Sequence, residues 1–268
     1  MLIFNVNKNN RFGLEAISKG NQRKWVTNGV FLKADSMGYE SIAEIIASEL
    51  ECHTIGCDFV QYNLCKIIEG NREYEGCASN IFLNEDEKII SFYRILEYYA
   101  GTEDELNKLK RNYTGVNWLN KLVSICSEVT KIDVFFIYNY LSYILKLDAL
   151  LLNEDRHYNN LAFVRLGDGS FRTAPIFDNG LSLLADTEEF PLNKSYDVRK
   201  VKAQPFSTSF TKQAKYLSDF DLLKIDADGL LYKLDNFLPP FKKSEYSRAV
   251  KILKSRLRTL KGVVWEDV

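Results

Sequence analysis

Asn153-Glu154-Asp155-Arg156-His157-Tyr158-Asn159-Asn160 opens the stretch that most constrains what this chain can become. Leu161 to Phe177 follows, and Asp178-Asn179-Gly180 closes it. The middle has the composition of a β-hairpin. Leu161 to Leu166 is rich in strand formers, Gly167-Asp168-Gly169 tolerates positive φ, and Ser170 to Phe177 returns. Facing residues on paired strands lie roughly 5 Å apart. The spacing therefore predicts that Asn160, just before the first strand, lies near Asp178, just after the second. Asp155 stands one Asp-x-x-x-x-Asn step before Asn160. Two carboxylates and an amide oxygen converge.

That trio has a chemical use. Phosphoryl transfer from ATP needs a metal held by hard oxygen ligands, and a carboxylate that orients the attacking hydroxyl and accepts its proton. Protein kinases meet this with Asp-x-x-x-x-Asn in a catalytic loop and a second Asp that opens Asp-Phe-Gly. Asp155 and Asn160 have the first spacing; Asp178-Asn179-Gly180 has the Asp and the Gly with Asn between. The competing reading is a polar surface loop followed by an ordinary turn. Asp-x-x-x-x-Asn alone arises often by chance. The hairpin and the apolar lead-ins on both sides favour the kinase-like reading.

Upstream, Leu2 to Val6 and Arg11 to Ile17 have the pattern of strands. Ser18 to Lys24 is a small polar turn with one glycine, Gly20, of the kind whose backbone N–H groups cover phosphates; its alternative is a plain hairpin turn. Trp25-Val26 and Gly29 to Ala34 continue the sheet. Lys33 stands alone among apolar strand residues. Facing inward it needs an anionic partner; facing outward it is merely solvated. Ile42, Ile45, Ile46 and Leu50 recur at helical spacing over Tyr39 to Leu50. Glu44 lies mid-helix and is the expected partner of Lys33, with Glu40 and Glu49 behind it. Phe59 to Ile68 and Arg72 to Ala78 predict two more strands. Ser79-Asn80-Ile81-Phe82-Leu83 then forms a connector at the back of a cleft, with Asn80 on its nucleotide side.

From Glu85 onward helices are expected over Lys88 to Tyr99, Thr114 to Val129, Lys131 to Leu152, Asp219 to Phe237 with a break near Asp226, and Ser244 to Leu260. Lys131 to Leu152 is apolar enough to raise a membrane span. Asn139, Ser142, Lys146 and Asp148 interrupt it, and a core helix is predicted instead. A formal net charge of −1 points to no nucleic-acid partner. Five cysteines in a chain this long fit a reducing, cytoplasmic compartment. A zinc site from Cys52-His53, Cys57 and Cys65 matches no common ligand spacing. No signal peptide is visible at the start.

The order of these features resembles the HipA-like serine/threonine kinases, especially the short, stand-alone members similar to CtkA. They are distant relatives of the phosphatidylinositol kinases. Ile17 to Lys24, Phe31-Leu32-Lys33, Asn153 to Leu161, and Ala174-Pro175-Ile176-Phe177-Asp178-Asn179-Gly180 carry the resemblance. It implies that Asp155 is the catalytic base, that Asn160 and Asp178 hold Mg²⁺, and that Lys33 binds the ATP phosphates. It also implies that a serine of the phosphate-covering loop, Ser18 here, is autophosphorylated. With Lys33 so near the start, there is no room for the N-terminal subdomain through which full-length HipA proteins meet an antitoxin, so that partner is not carried over. The expectation is an α+β, bilobal protein-kinase-like fold with a β-rich part over residues 1–82 and a helical part over 83–268. The expected function is ATP- and Mg²⁺-dependent phosphorylation of serine or threonine on a protein. The alternatives are a lipid or small-molecule kinase, or a nucleotide-binding pseudokinase that acts as a binding module.

Overall fold

A computed structural model describes residues 1–11, 22–56 and 58–268. Its first five strands are β1 (Leu2–Val6), β2 (Lys24–Thr27), β3 (Val30–Ala34), β4 (Asn63–Glu69) and β5 (Arg72–Asn80). They form one sheet in the order β1-β4-β5-β3-β2, in which β1 and β4 run parallel and the other neighbours antiparallel. Asn28 and Gly29 join β2 to β3 with φ of 47° and 75°. A two-residue Asn-Gly turn with both φ positive matches the twist of the flanking strands. It fixes the register that sets Lys24 opposite Lys33. Of the strand expected over Arg11 to Ile17, Arg11 bridges Trp25, and the remainder lies outside the described residues.

Helix α1 (Glu40–Cys52) follows β3 and packs on β4 and β5. Every residue in it except Glu49 and Cys52 is buried. Its other side meets two C-terminal helices, so Ile42, Ile46 and Leu50 belong to the same apolar core as the helical part of the chain. A smaller core, with Trp25, Leu32, Cys65 and Ile67, lies within the sheet.

The helical part differs from expectation at its start. Lys88–Ser91 is strand β6, and only Phe92–Ala100 is helix (α2). The reason is pairing: Ile90 lies opposite Phe163 of the hairpin, and the Ser91 hydroxyl accepts from the Arg94 N–H to cap the helix. Helix α3 (Glu103–Asn112), absent from the sequence expectations, carries ordinary start signals. Thr102 caps it and Glu103, Asp104 and Glu105 fill its first turn. Then come α4 (Gly115–Thr130) and α5 (Val134–Leu151). Among the described residues α5 alone is long and apolar enough to cross a membrane, but 67 % of it is buried inside the protein. It is a core helix, packed on α4 and on two later helices.

The predicted hairpin is β7 (Ala162–Arg165) and β8 (Phe171–Thr173), with β6 as its third strand. After it come α6 (Phe210–Lys215), β9 (Leu223–Ile225), α7 (Ala227–Asn236), α8 (Lys243–Leu260) and β10 (Trp265–Asp267). Of the expected helix over Asp219 to Phe237, only the part after the expected break is helix, and Leu223–Ile225 before it is strand. Leu223–Ile225 pairs in parallel with Trp265–Asp267, and Asp226 caps α7. Just before α8, Lys242 forms an ion pair with Asp35 and donates to the Gly38 carbonyl at 2.6 Å. This ties the C-terminal helix to the entrance of α1.

Candidate active site

Helix α5 delivers the chain into the loop. It ends at Leu152, which is left-handed at φ 55°. Asn153, fully buried, accepts from the Asp155 N–H at 3.1 Å and bends the next residues into a turn. Arg156 points back into the protein, 1 % exposed, against a fully buried Asp148 at 3.0–3.2 Å. One nitrogen of the same guanidinium donates to two backbone carbonyls: Asn160 at 3.3 Å and Phe177 at 2.8 Å. The two ends of the hairpin are therefore pinned to one side chain, which brings Asn160 and Asp178 together as the spacing requires.

Each predicted residue can now be placed. Asp155 leaves its carboxylate partly exposed, with His157 Nε2 at 3.7 Å. Burial raises its carboxyl above the ordinary range, and Asp178 adds to this, while His157 and Arg156 pull the other way. The Asn160 amide donates to the Asp155 carbonyl at 2.9 Å. Its Oδ1 is buried and has no partner among the described residues. A buried amide oxygen left unpaired is costly, and a bound cation is one way to satisfy it. Asp178 adopts φ 61°, a conformation that aspartate tolerates better than most residues.

Lys33 points inward, 3 % exposed, with Glu44 at 2.7 Å and Asp178 at 2.6 Å. The outward, solvated alternative is overturned. Burial alone would lower the ammonium, but Asp178 and Glu44 outweigh it and hold it well above its ordinary value. Burial would likewise raise Asp178; Lys33 and Lys24 outweigh that and hold its carboxyl far down. In Glu44 burial prevails over Lys33, and the carboxyl is raised. Gly180 then passes α1 so closely that an added Cβ would lie 3.3 Å from the Glu40 Cβ.

Two cavities are lined in part by these residues. One, of about 170 Å³, has Lys24, Lys33 and Asp178 on one wall and Tyr62, Phe82 and Phe177 among its apolar lining. The connector from Ser79 to Leu83 lies along it, and Asn80 borders it while pairing with Val30. The other, of about 660 Å³, has Asp155 on its wall. Ser18 and Gly20 lie outside the described residues. Cys57, a member of the zinc alternative, also lies outside the described residues; among those described, no three His, Cys, Asp or Glu side chains could together hold a metal ion. The Asn160 oxygen and the Asp178 carboxylate are hard donors of the kind Mg²⁺ takes.

Several residues of the site were not singled out by sequence. Lys24 is one: the Asn28-Gly29 turn places it opposite Lys33, a signal that was available. Arg156, Asp148, Asn179 and Glu51 are others. Their importance lies in long-range bonds that no local pattern shows.

No family model and no curated protein sequence matches the chain. Solved structures do. The proinflammatory kinase CtkA of Helicobacter pylori superposes with a TM-score of 0.62 at 16 % identity, over 89 % of this chain and 88 % of that one. The HipA–HipB–operator DNA complex of the Shewanella oneidensis MR-1 toxin–antitoxin system gives 0.52 at 14 % identity, over 95 % of this chain and 66 % of that one. The chain has the HipA-like kinase fold. At such identities the likeness is one of fold, and the chemistry rests on the site itself. Within this fold, Lys33 comes from the sheet, Glu44 from the helix behind it, and Asp155, Asn160 and Asp178 from the loop and hairpin of the helical part.

Proposed function

We propose that this protein transfers the γ-phosphoryl group of ATP, with Mg²⁺, to a serine or threonine hydroxyl on a protein. One observation carries the reading. Lys33 bonds Glu44 and Asp178 at once on the wall of the smaller cavity, while Asp155 lines the larger one and the Asn160 side-chain oxygen is buried without a partner among the described residues. Lys33, and Lys24 across the strand pair, offer positive charge to phosphate oxygens. Asn160 and Asp178 would hold Mg²⁺, which supplies charge neutralisation between phosphates when bound. Asp155 orients the acceptor hydroxyl and takes its proton. The apolar part of the smaller cavity receives the base. Self-phosphorylation at Ser18 belongs to the same reading and rests on sequence alone.

The larger cavity is then the acceptor cleft. Glu154, Asp155, Asp186, Glu189 and Asp197 line it, against Lys200 and Lys202. Arg199 is already bonded to Asp197 at 2.8 and 2.9 Å. Burial, with Glu189, Asp186 and Asp155 near, pushes the Glu154 carboxyl up to about 7. With Asp197 paired to Arg199 and Glu154 only partly ionised at neutral pH, Asp155, Asp186 and Glu189 still outnumber the two ammonium groups and disfavour an anionic acceptor, whether an acidic peptide or a phosphoinositide head group. A basic residue beside the target hydroxyl fits. The double variant Glu154→Gln/Glu189→Gln is therefore expected to raise KM for arginine-flanked peptides about threefold to tenfold, at unchanged KM for ATP. Better turnover of glutamate-flanked peptides by the unaltered protein would remove the assignment.

The direct test incubates the purified protein with radiolabelled ATP and Mg²⁺, alone and with protein or lipid acceptors, and locates the label. Label on serine or threonine is expected, with Ser18 examined by mass spectrometry. Label on lipid only, or ATP bound without any transfer, would replace this function with one of the two alternatives.

A further inference from the structure

Asn179 stands where Asp-Phe-Gly kinases carry phenylalanine, and its backbone N–H and both polar side-chain atoms are hydrogen-bonded. It is 2 % exposed. Its backbone N–H donates to Glu44 Oε2 at 3.0 Å. Its side-chain nitrogen donates to Glu51 Oε1 at 3.3 Å. Its side-chain oxygen accepts from Arg156 Nη2, and from the Asn153 amide at 3.5 Å. Glu44 and Glu51 lie on one face of α1, two turns apart; Asn153 and Arg156 belong to the loop that carries Asp155. The bonds make one continuous line: Lys33 to Glu44, Glu44 to Asn179, Asn179 to Arg156, and Arg156 to the Asn160 carbonyl.

We propose that Asn179 is a positioning residue that registers helix α1 against the catalytic loop, so that the Lys33–Glu44 pair and the Asp155/Asn160 pair hold one fixed relation. The proposal rests on the kinase reading for the word catalytic, and on the bonds alone for the coupling. An apolar residue here would pack but would leave Arg156 and Glu51 each short of a partner inside the protein. Leucine is therefore no substitute, although it fills the space. Burial pushes the Glu51 carboxyl well above its ordinary range, against the pull of Arg156. Its Oε2 meets no partner among the described residues. An uncharged glutamine at this position keeps the one oxygen that Asn179 uses.

The test uses the full chain in two arms. In the kinetic arm, Asn179→Ala and Glu51→Leu each lower kcat about 10–100-fold and raise the Mg²⁺ concentration for half-maximal rate, the size of effect seen when a partner that orients metal ligands is removed. Glu51→Gln stays within about twofold of the unaltered protein. In the second arm, hydrogen exchange of the ligand-free protein is followed by mass spectrometry. Asn179→Ala raises exchange in 40–52 and 153–160 together, and adding Glu51→Leu raises it no further. Unchanged kcat and Mg²⁺ requirement in a folded Asn179→Ala would overturn the proposal. So would faster exchange in only one of the two segments, or additive effects of the two substitutions. If the unaltered protein transfers no phosphate, the kinase reading fails by itself, and the exchange arm still decides the coupling.

Discussion

Asp155→Asn is expected to leave the fold and Mg²⁺–ATP binding intact while lowering turnover about 10²–10⁴-fold, the usual contribution of a positioned general base. The structure separates the two effects. The loop is held by the backbone of residue 155, whose N–H meets Asn153 and whose carbonyl meets Asn160. The carboxylate is left facing the acceptor cleft. Because burial and Asp178 raise that carboxyl, the acid limb of the pH–rate profile should lie above the ordinary aspartate value of about 3.9. Rate is lost as pH falls through the raised value, since only the ionised form accepts a proton. The asparagine variant should show no such limb. Thermal melting, ATP titration and single-turnover rates across pH check all three statements. Undiminished turnover would take Asp155 out of the role.

Arg156→Met should have the largest effect on stability. It leaves Asp148, fully buried, without its charge partner, and strands the carbonyls of Asn160 and Phe177. Removing one member of a buried ion pair costs about 3–5 kcal/mol. Urea unfolding should report that loss at neutral pH. The sign of its pH dependence follows from Asp148. With the arginine gone its carboxyl rises further in the folded state only, so the folded protein takes up the extra proton and the deficit shrinks as pH falls. Arg156→Met combined with Asp148→Leu should recover much of the stability but no activity, because the hairpin ends lose their common anchor. A single variant as stable as the parent would mean that the pair contributes no net stability here.

The parts of this protein legible in its sequence are those set by local pattern. The approach of Asn160 to Asp178 was legible because a hairpin brings its ends together whatever the rest of the chain does. Glu44 was legible as a mid-helix acid after a lone strand lysine. The buried α5 was legible because its polar interruptions argued against lipid. The errors have a common cause. Lys88–Ser91 and Leu223–Ile225 are strands only because distant strands, β7 and β10, accept them. Apolar runs of three or four residues carry no period of their own. Helix α3 carries its start signals in Thr102 and the three acids after it, but its apolar stripe is thin, with Leu106 its one buried residue. Arg156, Asn179 and Glu51 were beyond reach for a different reason. Each is an ordinary polar residue in its own neighbourhood, and its value comes from partners up to 135 positions away.

In many kinases the helix that carries the lysine's partner is the lever of control, swung out to switch the enzyme off. Here that helix is walled in. It has the sheet on one side, α7 and α8 on the other, and Lys242 clamped across its entrance. Swinging it outward would bring Ile42, Ile46 and Leu50 into water, at roughly 1.5–3 kcal/mol for each side chain. A population shift from 1:99 to 99:1 takes about 5.5 kcal/mol in all, so no single small effector moves this helix cheaply.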